Sequence, residues 1–406
     1  MKFYQLSPQE RRAILQDQGL KLADIDDKSL MELNQLSENV IGEIRLPLGV
    51  VQNLLVNNRS YLVPLATEEP SVVAAANHGA GIFAKNGGVK CSSDRPGIYG
   101  QIVLRVDSNF SQSVFEENFP EYITKANERF HSLILHGGGL RRINAELEAD
   151  LLFIRVLVDP AEAMGANKTN AILEYLAEQM LAFPGISEKL FAILSNYPSQ
   201  FARAEVKIDP ETIGGQAVAQ KIALLSKIAQ TDVYRAVTNN KGIMNGVDAV
   251  LMATGNDYRA VEAATAVHAS QTGYTSLSKW FIAHDKLIGQ LSLPLAIGTV
   301  GGSIKARSDV QQSFSLLGDV SSAQLAEIIA GIGLANNLAA LLAISTKGIQ
   351  AGHMKLQARN IVATLNATTI EKAEVLAKMI ENKNYSEHAA QTILEQIRKE
   401  AHADRN

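Results

Sequence analysis

Apolar side chains recur at helical spacing through residues 8 to 36, with Ile14, Leu15, Leu20, Leu22, Leu30, Leu33 and Leu36 set among charges, and predict two short packing helices. From Leu46 to Leu65 the pattern turns extended, with Val50-Val51, Leu54-Leu55 and Tyr61-Leu62-Val63 on either side of Asn57-Asn58, and reads as strand or hairpin. Thr67-Glu68-Glu69-Pro70-Ser71 then opens the small-residue run Val72 to Ala76. Proline suits a first helical turn, and Glu69 stands at the positive end of that helix. Gly100 to Asp107 reads as a strand, Gln112 to Leu135 as mostly helix, and Leu151 to Asp159 as a second strand after the triad Gly137-Gly138-Gly139. Residues 169 to 195 are helical in period, and Gly214-Gly215 precedes a helix expected from Gln216 to Asn239. Leu291 to Val300 reads as a buried strand ending in Gly301-Gly302, residues 321 to 347 as one long helix, and the chain after Gly348 as a separate helical segment. The fold class is α+β, with a smaller α+β unit near residues 99 to 197 and no internal repeat.

Composition narrows the function classes. At 406 residues the chain exceeds what one core usually serves, so two or three units are expected. Apolar residues are 46% and charged residues 20%, as in ordinary globular proteins, and the formal charge of −4 offers no general attraction to nucleic acid. Cys91 is the single cysteine, so neither an intrachain disulfide nor a cysteine-based metal cluster can form; the histidines are scattered, and no metal site is expected. Met1 to Gln18 mixes charges with apolar residues and lacks a signal-peptide core. The apolar run Ile328 to Ile344 carries Asn336 and Asn337, falls short of a bilayer span, and reads as a buried helix; a cytoplasmic protein with no membrane anchor is expected.

Candidate chemistry centres on Asn240-Lys241-Gly242-Ile243-Met244-Asn245-Gly246. With Asn239-Asn240 before it and Gly242 after it, Lys241 is expected on a short tight loop, although an isolated lysine is far more often a solvated surface charge. Ala253-Thr254-Gly255-Asn256-Asp257 is a small-residue turn that presents Asp257 as a helix cap. Glu69 alone would be an ordinary helix-start carboxylate, and His353 in Gly352-His353-Met354 an ordinary histidine.

Taken in order, however, Glu38-Asn39-Val40-Ile41-Gly42, Thr67 to Ser71, Asn240 to Asp248, Ala253 to Asp257 and Gly352-His353-Met354 closely resemble the blocks of hydroxymethylglutaryl-CoA (HMG-CoA) reductases, in particular the short, unanchored bacterial form. The resemblance implies four catalytic residues, Glu69, Lys241, Asp257 and His353, and four-electron reduction of HMG-CoA to mevalonate and CoA by two hydrides from NADPH, or alternatively NADH. It gives Lys241 the developing oxyanion, His353 protonation of the departing CoA thiolate, and Glu69 and Asp257 proton transfer and tuning. Ser71, Arg235 and Asn245 fall on positions that bind the substrate carboxylate. Glu162-Ala163-Met164-Gly165-Ala166-Asn167 resembles a dinucleotide-binding block whose first residue is usually aspartate, which implies cofactor contacts from Glu162, Met164, Gly165 and Asn167. The implied architecture is a large CoA-ester-binding and dimerisation domain (1–98 and 198–350), an inserted small nicotinamide-dinucleotide-binding domain (99–197) and a C-terminal helical flap (351–406), assembled as a homodimer or an assembly of dimers with the active site between subunits.

Two other readings stand beside this one. The same residues would serve the reverse, NAD- and CoA-dependent oxidation of mevalonate, and a non-catalytic acyl-CoA-binding homologue would keep the fold without turnover. Rates with each cofactor in both directions separate all three.

Overall fold

The computed structural model describes residues 2–302, 304–346 and 358–403. Two helices, α1 (Pro8–Asp17) and α2 (Asp27–Asn34), open the chain as the periodicity predicts, each started by a side-chain cap, Ser7 and Asp26. The hairpin β1 (Leu48–Val56) and β2 (Arg59–Ala66) turns at Asn57 and Asn58, both at positive φ, which asparagine tolerates. Helix α3 (Pro70–Lys85) follows with Glu69 at its N-cap.

The next stretch is a separate layer pair. Strands β4 (Ile98–Val106), β5 (Gly139–Glu148), β6 (Leu151–Asp159) and β7 (Ile186–Ser195) form an antiparallel sheet in the order β5-β6-β4-β7. Helices α4 (Gln112–Glu116), α5 (Phe119–Arg129), α6 (His131–Leu135) and α7 (Ala166–Met180) connect the strands in a split βαβ pattern. Ile102, Leu104, Ile154, Val156, Ile172 and Leu176 share one core between sheet and helices.

Two expectations fail here. Residues 169 to 195 are not one helix: α7 stops at Met180, Gly185 sits at φ 85, and Ile186–Ser195 pairs along β4. The strand at Leu151–Asp159 is also not the next after Ile98–Val106: β5 lies between them, its Arg142, Asn144 and Glu146 alternating with Ile143, Ala145 and Leu147 as a strand with one buried face does.

The larger core surrounds α12 (Ser322–Ser345), packed by α3, by α8 (Gln216–Thr231), by α9 (Val233–Ala253), and by a sheet in the order β3-β8-β10-β9. Its strands are β3 (Lys90–Asp94), β8 (Phe201–Ile208), β9 (Ser278–Ala283) and β10 (Lys286–Pro294). Helix α12 is long and apolar enough to cross a membrane, but 83% of its apolar window is buried inside the protein. Its packing is close: a Cβ on Gly79 of α3 would run into the Ala335 backbone of α12. The expected helix from Gln216 to Asn239 breaks at Asp232, which ends α8 and caps α9 through Arg235 N–H. The strand expected at 291 to 300 ends at Pro294.

Helices α10 (Tyr258–Ala269) and α11 (Ser308–Leu317) complete this unit. Beyond the undescribed segment, α13 (358–364), α14 (Thr369–Glu381) and α15 (Glu387–Ala403) gather around Val362, Val375, Met379 and Leu394.

Candidate active site

Lys241 is not on a loop. It occupies the middle of α9, in a helix of 21 residues, because the supposed turn residues are used for packing. The Asn239 and Asn240 side chains are buried and hydrogen-bonded to the segment leading into β9, and Gly246 lets α9 approach Asn336 of α12. Tertiary hydrogen bonds override the turn propensity of the asparagines. The helix holds the Lys241 backbone rigid and sends the ammonium outward, 3.6 Å from Oε2 of Glu69, with the lysine side chain 65% and the glutamate 37% exposed.

Glu69 is aimed by its neighbours. It stands at the N-cap of α3 without spending its carboxylate on that helix's N–H groups. Ser71 Oγ donates to Oε1 at 2.5 Å, while Glu69 N–H donates to Thr67 Oγ1 at 3.2 Å. One carboxylate oxygen thus meets a hydroxyl and the other an ammonium, so Glu69, Ser71 and Lys241 converge directly.

Asp257 is fixed by its own helix. It is the N-cap of α10, and Oδ1 accepts from the N–H groups of Arg259 and Ala260 at 3.1 and 3.2 Å and from Arg259 Nε at 3.3 Å. It lines a cleft of about 480 Å³ with Ile44, Ala66, Asn256 and Arg307, beside the end of β2 that leads to Glu69. Among the described residues no hydrogen bond or ion pair joins it to Lys241. His353 lies outside the described residues.

Arg235 sits in the first turn of α9. Nη2 lies 3.5 Å from Asn239 Oδ1, Nε is buried without a hydrogen-bond partner among the described residues, and burial lowers the pKa of the guanidinium. A desolvated guanidinium with an unused N–H is suited to a carboxylate. Asn245 is half-buried one helical turn beyond Lys241.

Two carboxyl groups escaped the sequence reading. Asp248, two turns beyond Lys241, is hydrogen-bonded to Glu262 of α10; burial first, then that bond and the like charge of Glu262, push its pKa up to about 8. An aspartate on a helix gives no sequence signal of such a pairing.

The dinucleotide-like block forms a bend docked on the larger unit. Gly165, at φ 99, is the N-cap of α7, and a Cβ there would run into Pro160. The first turn of α7 carries Asn167 and Lys168 and no acidic residue, leaving amides and a cation for an anion. Met164 packs beside Gly298, whose backbone is held by Asn256 through bonds of 2.8 and 3.1 Å. Glu162 accepts from the Ser322 N–H at 2.5 Å and from Thr299 Oγ1 at 3.4 Å, so its carboxylate caps the start of α12.

The profile of the hydroxymethylglutaryl-coenzyme A reductase family matches residues 7–358. The chain belongs to this family. It is 36% identical to the 3-hydroxy-3-methylglutaryl-coenzyme A reductase of Archaeoglobus fulgidus over 405 residues, covering 98% of this chain and 91% of that one. It is also 36% identical to the probable enzyme of Borreliella burgdorferi, covering 91% and 88%. Among solved structures, the class II reductase of Streptococcus pneumoniae bound to NADPH in open conformations is similar at TM-score 0.75 and 38% identity, over 96% of this chain and 99% of that one. The α+β fold and the family read from the motif blocks are thereby established.

Proposed function

We propose that the chain reduces HMG-CoA to mevalonate and CoA with two equivalents of NADPH, in the mevalonate pathway of isoprenoid synthesis. The observation that carries this reading is the Lys241–Glu69 pair, 3.6 Å apart, with Ser71 on the second carboxylate oxygen, in a chain whose family profile spans nearly all of it. NADPH is preferred to NADH because a 38% identical structure holds it. Met164, Gly165 and Asn167, with the free first-turn amides of α7, would hold the dinucleotide; Glu162 would anchor their loop to α12. Each of two successively bound reduced nicotinamides would supply one hydride.

The protein's own residues handle charge and protons. Thioester reduction and aldehyde reduction each build negative charge on the substrate oxygen, and the Lys241 ammonium, fixed on a rigid helix, meets it. Glu69, hydrogen-bonded by Ser71, exchanges a proton with that oxygen, and Asp257 from the cleft wall tunes the pair. Arg235 and Asn245 bind the distal carboxylate of the acyl group, and Ser71 joins them by turning its single O–H from Glu69 to the substrate. His353 protonates the departing thiolate between the two reductions.

The assembly is a homodimer or a set of dimers with the site at the subunit interface. Strongly exposed apolar side chains beside the site, Ile44 at 93% and Tyr234 at 89%, support it. The large domain comprises residues 1–98 and 198–350, the small cofactor domain 99–197 and the flap 351–406; the location is cytoplasmic, consistent with the single Cys91. Purified protein given HMG-CoA with NADPH or NADH, and mevalonate and CoA with the oxidised forms, tests the reading. Faster turnover of HMG-CoA with NADPH supports it, whereas a preference for NAD and mevalonate, or CoA-ester binding without turnover, overturns it.

A further inference from the structure

Asn337 is 1% exposed in the middle of the apolar helix α12, where an amide is costly unless every polar atom is matched. Both of its polar atoms are bonded. Trp280 Nε1 donates to Asn337 Oδ1 at 2.7 Å and Ser278 Oγ donates to the same oxygen at 2.8 Å, while Asn337 Nδ2 donates to Asn239 Oδ1 at 2.9 Å. Asn239 Nδ2 donates in turn to Ser276 Oγ at 2.7 Å and Ser278 Oγ at 3.2 Å.

These bonds have a fixed direction. An indole N–H can only donate, so it must face the carbonyl oxygen of Asn337 and not its amino group. The Asn337 amino group is thereby turned to Asn239, which must present its own oxygen. That oxygen is the acceptor 3.5 Å from Arg235 Nη2, and Arg235 has no acidic partner among the described residues. The orientation of the amide that meets the guanidinium is set from Trp280, three side chains away in the core.

We infer that Trp280, Asn337 and Asn239 form a buried relay of positioning residues that holds the Arg235 guanidinium for a carboxylate, and so selects CoA esters whose acyl group ends in one. The relay rests on the reading of Arg235 as the carboxylate-binding residue. Apolar residues at 337 and 239 would leave the Trp280 N–H and the Ser278 hydroxyl short of an acceptor and Arg235 without an oriented one. A neutral acceptor also suits the role, because an aspartate in its place would neutralise the cation that the substrate needs.

The test compares Trp280→Phe, Asn337→Leu and Arg235→Gln with the parent protein, reading KM and kcat with HMG-CoA and the calorimetric Kd of free 3-hydroxy-3-methylglutarate and of CoA. Trp280→Phe keeps an aromatic ring but removes the donor together with part of the buried indole, so a thermal melt runs beside it to separate lost packing from the lost donor, and it answers the question if Asn337→Leu fails to fold. The relay predicts that Trp280→Phe raises KM and the Kd of the free diacid by about tenfold. The Kd of CoA should not move, and kcat should stay within about threefold. Arg235→Gln should produce the same split more strongly, and adding Trp280→Phe to it should cost nothing further. If Arg235→Gln leaves KM and the diacid Kd unchanged, the carboxylate reading itself falls. If Arg235→Gln shows the split but Trp280→Phe does not, or lowers kcat and CoA binding together with it, the relay is overturned while the carboxylate reading survives.

Discussion

Lys241→Met separates the two things Lys241 does. In the resting protein it pairs with Glu69 at 3.6 Å, a Coulomb attraction of about 1 kcal/mol in water and about 5 kcal/mol at an effective dielectric near 20. With side chains 65% and 37% exposed, solvent and side-chain entropy reduce the net contribution to about 0–1 kcal/mol. Methionine keeps most of the apolar stem and is a good helix former in the middle of α9, so the folded state should be nearly unaffected. Catalysis should not be. Removing one fixed donor to an oxyanion costs about 3–4 kcal/mol of barrier, or roughly a hundred- to a thousandfold in kcat. Both reductions use the same ammonium, but the slower step sets the rate, so the losses do not multiply in kcat. The assay is steady-state oxidation of NADPH with saturating HMG-CoA beside a thermal melt. Retention of more than about a tenth of the parent kcat, or a loss of activity accompanied by a Tm drop of more than about 5 °C, would refute the argument.

The carboxyl pair of Asp248 and Glu262 predicts a pH dependence of stability. A carboxyl raised from 3.8 to about 8 is held protonated by the fold, so stability falls as pH rises from about 4 through 8, and Asp248→Asn should flatten the Tm profile across that interval; an unchanged profile would remove Asp248 as the cause. Gly79→Ala should be strongly destabilising, by about 1–3 kcal/mol or more, because its methyl group meets the Ala335 backbone and not a movable side chain. Denaturant melts check it, and a loss below about 0.5 kcal/mol would show that α3 and α12 are free to separate. His353→Gln should stop turnover of HMG-CoA but spare reduction of free mevaldehyde; equal loss of both would remove its proposed role in protonating thiolate.

Local signals were legible where local physics decides. Asn57-Asn58 turned the hairpin, Pro70 started α3 with Glu69 at its cap, and Asp257 capped α10. Lys241 was misplaced because Asn239, Asn240 and Gly242 have turn propensities that only tertiary partners overrule: Ser276, Asn337 and Thr275 lie 35 to 98 residues away in sequence. The sequence of strand β7 reads as helix because its outward positions, Phe191 and Ile193, are apolar though 43% and 54% exposed, which blurs the alternation. The pair Asn336-Asn337 within an apolar run was a visible signal of a buried polar network, yet its partners were not readable from the chain.

A four-electron reduction at one site fixes how many cofactor equivalents are spent for each CoA released. Single-turnover reaction of the enzyme with limiting HMG-CoA and excess NADPH, followed by nicotinamide absorbance and thiol titration, should consume two NADPH for each CoA released. One NADPH per CoA, or CoA release without NADPH oxidation, would contradict the account.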